Sequence, residues 1–191
     1  MKKIFIGALL ATAAVAASPA AAQTTGFTGG HVEAIGGWDK VDSDINVDGF
    51  AYGLGAGYDF DANGLVVGVE GEIMDSTAKK CADGVLQPGD RMCIKAGRDL
   101  YAGARLGTTV GASKNTLLYV KGGYTNARVE AEYKLGTTTT TDGGNDGGWR
   151  VGAGVETKTS NNLLFKGEYR YSDYGDGANR HQVLAGVGIR F

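Results

Sequence analysis

The sequence predicts an all-β protein: one eight-stranded antiparallel up-and-down transmembrane β-barrel with short periplasmic turns and four longer extracellular loops. Three observations carry that expectation. Apolar and polar residues alternate with a period of two in eight successive runs, the mark of strands with two unlike faces. Connections between runs alternate between brief and long, as in outer-membrane barrels. Charged residues, about a fifth of the chain, avoid one register of every run and crowd the other.

The N-terminal segment stands apart. Lys2 and Lys3 precede an apolar, Ala-rich stretch at 4–17, and Ala20, Ala21 and Ala22 supply small residues before Gln23. This is the pattern of a signal peptide spanning 1–22, exported by the Sec route and removed. The stretch is too weak to span about 30 Å of hydrocarbon as a helix. Residues 23–191 then form one domain, and loss of the two lysines moves the formal charge from −2 to −4. No basic run exists, so nucleic acid is not an expected partner. The 33 glycines against 2 prolines fall inside alternating runs, which assigns them to strands rather than to a disordered tract.

The first run, at 30–38, sets Val32, Ala34, Gly36 and Trp38 against His31, Glu33 and Ile35. In the second, Phe50, Tyr52, Leu54, Ala56, Tyr58 and Phe60 alternate with Ala51, Gly53, Gly55, Gly57 and Asp59. Asn63-Gly64 follows as a tight turn, since both residues accept positive φ. The third run has Leu65, Val67, Val69, Gly71 and Ile73 on one face, with Glu70 and Glu72 between them. The fourth has Leu100, Ala102, Ala104 and Leu106 against Asp99, Tyr101, Gly103 and Arg105.

A short turn near Ser113-Lys114-Asn115 leads to the fifth run, with Leu118, Val120, Gly122 and Tyr124 opposite Tyr119, Lys121 and Gly123. Its apolar parity then shifts to Val129, Ala131 and Tyr133, which a bulge or an extension above the membrane explains equally well. The sixth sets Trp149, Val151, Ala153 and Val155 against Arg150, Gly152, Gly154 and Glu156; the seventh sets Leu163, Phe165, Gly167, Tyr169 and Tyr171 against Lys166, Glu168 and Arg170. The eighth ends the chain with Val183, Ala185, Val187, Ile189 and Phe191. The Thr- and Gly-rich segment 136–148 reads on composition as a mobile loop.

Two barrels are compatible with such strands: a soluble lipocalin-like carrier with apolar residues inside, or a membrane barrel with apolar residues toward lipid. Three features favour lipid. An eight-stranded lumen is barely wide enough for side chains, and glycines interleaved with long charged residues suit it. Aromatics fall near strand ends, Trp38, Phe50, Tyr52, Tyr124, Trp149, Tyr169 and Tyr171 in one girdle and Tyr58, Phe60, Phe165 and Phe191 in the other. An even strand number closes the sheet, leaving no edge in hydrocarbon. The charges must then pair within the lumen, because an unpaired buried ion is costly. The expected network comprises Glu33, Glu70, Glu72, Arg105, Lys121, Arg150, Glu156, Lys166, Glu168 and Arg170, with Arg190 on the same side. Such a lumen is plugged, though a narrow small-solute pore is the competing expectation.

Cys81 and Cys93 lie twelve residues apart in a polar segment. Export to an oxidising compartment favours a disulfide closing that loop, and no His or third Cys nearby suggests zinc. Segment 44–49 repeats half of a calcium-loop pattern, with Asp42 adjacent, but Gly55 stands where the bidentate Glu belongs. Only His31 and His181 could serve a Ser–His–acid site; they begin neighbouring antiparallel strands at opposite rims, and neither has a neighbouring Ser in a recognisable nucleophile pattern, so no enzyme and no cofactor is expected.

The closing segment 181–191 (His-Gln-Val-Leu-Ala-Gly-Val-Gly-Ile-Arg-Phe), with 118–123 (Leu-Tyr-Val-Lys-Gly-Gly), 148–156 and 165–169, resembles the opacity-type, OmpA-like outer-membrane β-barrel family. The likeness extends over essentially all of 23–191. It implies residence in the outer membrane among lipid and lipopolysaccharide, and a role as surface antigen, adhesin or envelope component, with any extracellular ligand met by the loops. It also implies that Phe191 is the terminal aromatic read by the barrel-assembly machinery. The peptidoglycan-binding domain of full-length OmpA proteins has no counterpart after the eighth run, so wall anchoring is not expected.

Overall fold

The computed structural model describes residues 26–42, 46–175 and 178–191; the signal peptide expected at 1–22 lies outside them. The strands are β1 (Gly29–Asp42), β2 (Val47–Ala62), β3 (Leu65–Ser76), β4 (Lys79–Asp83), β5 (Asp90–Val110), β6 (Thr116–Leu135), β7 (Thr138–Lys158), β8 (Leu163–Asp173) and β9 (Asn179–Arg190). All pairings are antiparallel. Sequence neighbours pair from β1 to β3 and from β5 to β9, β9 pairs with β1, and β3 pairs with β5. Eight strands therefore close a ring, and β4 lies outside it as a short hairpin partner of upper β5.

One end of the ring has tight turns that positive-φ residues permit. Asn63 (φ 57°) and Gly64 (φ 90°) join β2 to β3, with the Gly64 N–H donating to Asp61 Oδ1 at 3.1 Å. Gly111 and Lys114 turn β5 into β6, and Asn162 turns β7 into β8. The other end is taller. There β5, β6 and β7 run to 21, 20 and 21 residues, about twice what a tilted strand needs to cross a bilayer.

That extension corrects two expectations. Segment 136–148 is not a loop: a turn at 136–137, with Gly136 at φ 57°, leads directly into β7, and Thr138 to Gly148 pair residue by residue with Leu135 to Thr125 of β6. Composition alone missed that β6 supplies a ladder on which β-branched threonines are good strand formers. Of the two candidate causes of the parity shift after Tyr124, the extension is the one that applies: β5 and β6 rise above the ring, and the one extra residue that bulges between Ala96 and Asp99 belongs to β5, leaving the parity of β6 unbroken.

Side-chain orientation follows the alternation through all eight wall strands. Leu54, Val69 and Val151 point outward, 62, 57 and 46% exposed, while Glu156 and Arg170 are wholly buried inside. This is the reverse of a carrier barrel with an apolar bore.

Candidate functional site

The lumen is filled in layers. At the short-turn end, Phe27, Val66, Leu117 and Tyr119 form a buried apolar cap. Phe27 arrives from the segment before β1, and Arg190 holds it by donating to its carbonyl at 2.6 Å.

Above this cap lies a closed four-membered ionic ring. Arg105 donates from Nε to Asp59 Oδ1 at 2.7 Å, from a terminal nitrogen to Asp59 Oδ2, and from the other to Glu156 Oε2 at 3.0 Å. Arg190 binds the same two acids, 2.7 Å to Asp59 and 2.8 Å to Glu156. His31 Nδ1 lies 3.4 Å from Asp59.

The middle layer centres on Glu72 and Glu168. Lys121 Nζ reaches Glu70, Glu72 and Glu168 at 2.6, 2.7 and 3.2 Å, and sits 4.6 Å from the Tyr101 ring centroid, a cation–π distance. Arg170 donates to Glu72 at 2.6 Å and to Glu168 at 2.7 Å. Lys166 donates to Glu33 at 2.5 Å, and Tyr119 donates to Glu168 at 2.6 Å. Beside this layer Ile35, Ala51, Met74 and Leu184 close an apolar patch.

The upper layer is again ionic. Arg150 and Arg180 donate to Asp99 Oδ2 at 2.5 and 2.8 Å, and Arg180 also donates to both oxygens of Asp39 at 2.7 Å. The hydroxyls of Thr125 and Ser76 donate to Asp99 and Asp39. Arg150 ties this layer to the middle one, its other terminal nitrogen 3.9 Å from Glu72.

Glycines create the room. A Cβ on Gly186 would stand 2.8 Å from Lys166 Cγ, and one on Gly154 would stand 2.6 Å from the Tyr119 hydroxyl. Among the described residues the bore holds eight buried carboxylates (Glu33, Asp39, Asp59, Glu70, Glu72, Asp99, Glu156, Glu168) and seven cations (Arg105, Lys121, Arg150, Lys166, Arg170, Arg180, Arg190). The near balance lets each ion be compensated locally, the condition under which buried charge is tolerable.

All ten sequence-derived network residues lie in this bore, and Arg190 joins them. Asp39, Asp59, Asp99 and Arg180 were missed. The signal was available: Asp59 and Asp99 already stood in the inward register of the second and fourth runs, Asp39 follows Trp38 directly, and Arg180 continues the inward parity three residues before Val183. Phe191 lies outside the bore, its ring against Gly30. His31 pairs in register with Arg190 and His181 with Lys40, at opposite ends of β1; the outward-facing His181 is hydrogen-bonded through Nδ1 to the Tyr169 hydroxyl at 2.7 Å. Of the half calcium pattern, Asp44 and Ile45 lie outside the described residues, Asp42 pairs with Lys40 at 2.8 Å, and Val47 and Asp48 already belong to β2.

Cys81 and Cys93 are bonded directly across the β4–β5 hairpin. Nearer its tip, the Asp90 carboxylate accepts the backbone N–H groups of Val85, Leu86 and Gln87 at 2.8, 2.9 and 3.0 Å. Burial pushes that carboxyl up, but the three donors outweigh it and hold it below its ordinary value.

Residues 7–191 match the family model described as an outer membrane protein beta-barrel domain. The 25 kDa outer-membrane immunogenic protein of Brucella ovis is 29% identical over 183 residues, covering 94% of this chain and 83% of its own length. Its Brucella abortus counterpart is 30% identical over 182 residues, covering 93% and 76%. Among solved structures, Neisserial surface protein A superposes with a TM-score of 0.58 at 19% identity, covering 86% of this chain and 98% of that one. Ail, the attachment invasion locus protein of Yersinia pestis, in complex with the heparin analogue sucrose octasulfate, gives 0.54 at 19% identity, covering 86% and 99%.

Proposed function

The chain belongs to the outer membrane protein beta-barrel domain family and resides in the outer membrane, and from that premise we propose that it is a non-catalytic, non-conducting scaffold that presents an extracellular sheet as a surface antigen of the adhesin type. The supporting observation is the contrast between its two halves. The membrane half invests its interior in a paired, apolar-capped lumen, while β5, β6 and β7 rise far above what spanning requires. A conducting bore would need a continuous water column, yet Phe27, Leu117 and Leu164 have no exposed surface at one end and Asp39, Asp99, Arg150 and Arg180 interlock at the other. His31 lies beside Asp59 and His181 beside Tyr169 and Asp42, and no serine hydroxyl partners either imidazole among the described residues, which supports a non-catalytic reading.

The scaffold reading carries three subsidiary proposals: residues 1–22 are removed on export, Phe191 is the signal for the barrel-assembly machinery, and lipopolysaccharide surrounds the outer half of the apolar belt. Reconstitution into planar bilayers tests the central one. The expected result is no stable unitary current; reproducible current steps at low voltage would establish the small-solute pore instead. Fractionation of cells, with heat-modifiable migration of the folded barrel, reports membrane integration separately.

A further inference from the structure

Neighbouring strands of the ring are joined to each other by the chain, except at one junction: β9 and β1 are the last strand and the first. Closing that seam brings Phe27 to Arg190, 163 residues away, and costs more chain entropy than closing any of the turns. The seam has extra fastening at its short-turn end. Phe27, two residues before β1, is wholly buried beside Val66, Leu117 and Tyr119. Gly26 reaches as far as β7, where a Cβ on it would stand 2.9 Å from Lys158 Nζ. Segment 26–28 is therefore a strap across the mouth of the bore, running from β1 past the ends of β9 and β8.

Arg190, next to last in the chain, holds this strap. It donates to the Phe27 carbonyl at 2.6 Å, and its guanidinium carbon lies 5.4 Å from the Phe27 ring centroid. The same guanidinium donates to Asp59 of β2 and Glu156 of β7. Strap, β2, β7 and β9 thus meet at one side chain, and the lower ionic ring is incomplete until β9 is in place. Gly29 turns the chain from β1 into the bore: its φ is 113°, and a Cβ on it would collide with the Phe191 carbonyl, so glycine alone fits. Beside it the Phe191 N–H donates to the Gly30 carbonyl at 2.8 Å.

We propose that segment 26–28 is a latch for the seam: Phe27 seats in the bore when β9 delivers Arg190, so that sealing the short-turn end and closing the wall are one cooperative step. With the seam open, Asp59 and Glu156 keep Arg105 but lose Arg190, and the strap loses its clasp. With it closed, the strap fixes the register of the first strand against the last. A one-residue slip would turn Arg190 toward lipid and tear it from all three partners. The latch is a device of barrel closure, and it holds whether or not the sheet above the ring meets a partner.

Amide exchange of the folded protein in lipid nanodiscs, read by NMR, separates a loosened seam from a loosened strand. The Phe191-to-Gly30 bond fixes the parity: even-numbered residues of β1 and odd-numbered residues of β9 bond across the seam, and odd-numbered residues of β1 bond toward β2. In Phe27→Ala, the amides of Gly30, Val32, Ile189 and Phe191 should exchange on the order of a hundredfold faster, the scale of a truncated buried phenyl. Those of His31 and Glu33, in the same strand but bonded toward β2, should stay within about threefold. Phe27→Leu, a smaller cut that keeps the cap apolar, should speed the seam amides only about tenfold and carries the same comparison should Phe27→Ala not fold. Leu117→Ala empties the same cap from β6 and is the control: it should not favour the seam. The latch is overturned if the Phe27 variants leave the seam amides unchanged, if they speed His31 and Glu33 equally, or if Leu117→Ala reproduces the seam pattern.

Discussion

Arg105→Ala is the sharpest probe of the packed lumen. The side chain is 1% exposed and satisfies both oxygens of Asp59 and one of Glu156, while its guanidinium carbon lies 5.4 Å from the Tyr119 ring centroid. Truncating one member of a buried ionic group leaves carboxylates in a dry site with fewer cations, at a cost of about 3–5 kcal/mol. Here Arg190 still reaches both acids, at 2.7 and 2.8 Å, so the lower end applies, about 3 kcal/mol. Lys79 is the comparison: its pair with Glu132 spans 3.7 Å with both side chains more than 40% exposed, and Lys79→Ala should cost less than about 1 kcal/mol. Urea titration in phospholipid vesicles, followed by Trp38 and Trp149 fluorescence, reads the difference. With a slope of about 1–3 kcal/mol per molar urea, the Arg105→Ala midpoint should fall by roughly 1–3 M. Arg105→Lys, which keeps charge but loses the two-pronged contact with Asp59, should lie between. Coincident midpoints for Arg105→Ala and Lys79→Ala would refute a lumen held by its ionic ring.

Three further outcomes follow from the same geometry. A Cβ on Gly68 would drive into Asp59 and meet Arg105 Cγ at 3.2 Å, whereas one on Gly71, three residues on and facing out, meets nothing nearer than 3.7 Å. Gly68→Ala should therefore cost about 1–3 kcal/mol and Gly71→Ala nothing measurable, by the same urea titration; equal effects would deny the tight inward packing. The depressed Asp90 carboxyl makes order at the hairpin tip depend on pH with a definite sign. Because folding lowers its value, the stabilisation is complete above the ordinary 3.8 and fades only as pH falls below it. Amide exchange at Val85, Leu86 and Gln87, corrected for intrinsic rates, should thus show constant protection from pH 8 to 5, rates rising at more acid pH; a loss near neutrality would contradict it. Reduction of Cys81–Cys93 should release about 3 kcal/mol of loop constraint in the hairpin alone. Trypsin cleavage at Arg91 should accelerate while heat-modifiable migration of the barrel persists.

Much of the ring was legible because each wall strand separates two media, and a period of two records which residue meets which. Leu54 and Glu72 could be assigned to opposite sides without any long-range information. The missed acids Asp39 and Asp99 lie where the alternation had been taken to begin or end, and a run's limits are the least certain part of a periodic reading. The partners themselves were not legible: that Arg105 meets Asp59 and Glu156 rather than Glu70 depends on stagger around the closed sheet, which one strand's sequence does not encode. Strand β4 and the upper half of β7 escaped for another reason. Both lie in water, where neither face must be apolar, so Thr, Gly and Lys carry no alternation to detect.

Strand β6 carries this reasoning across the membrane boundary. Its odd-numbered residues face inward from Tyr119 through Lys121 and Thr125 to Ala127, all buried, and the extra residue that shifts the register belongs to β5, not to β6. Continued upward, odd parity brings Val129, Ala131, Tyr133 and Leu135 to the inner face and leaves Arg128, Glu130, Glu132 and Lys134 on the outer one. The ion pairs agree, Arg128 reaching Glu130 at 3.0 Å and Glu132 reaching Lys79. Below Tyr124 the same strand has the opposite arrangement, Leu118 and Val120 outside and Lys121 inside. Polarity inverts while orientation does not, so the surrounding medium and not strand geometry sets the pattern, and the inversion marks where acyl chains give way to water. Moving that line should move the pattern's cost. Val120→Arg, below it, opposes insertion by about 2–4 kcal/mol, whereas Val129→Arg, above it on the inner face, forfeits only part of a half-buried apolar contact. Equal losses of membrane-integrated barrel for the two variants would mean the boundary has been drawn in the wrong place.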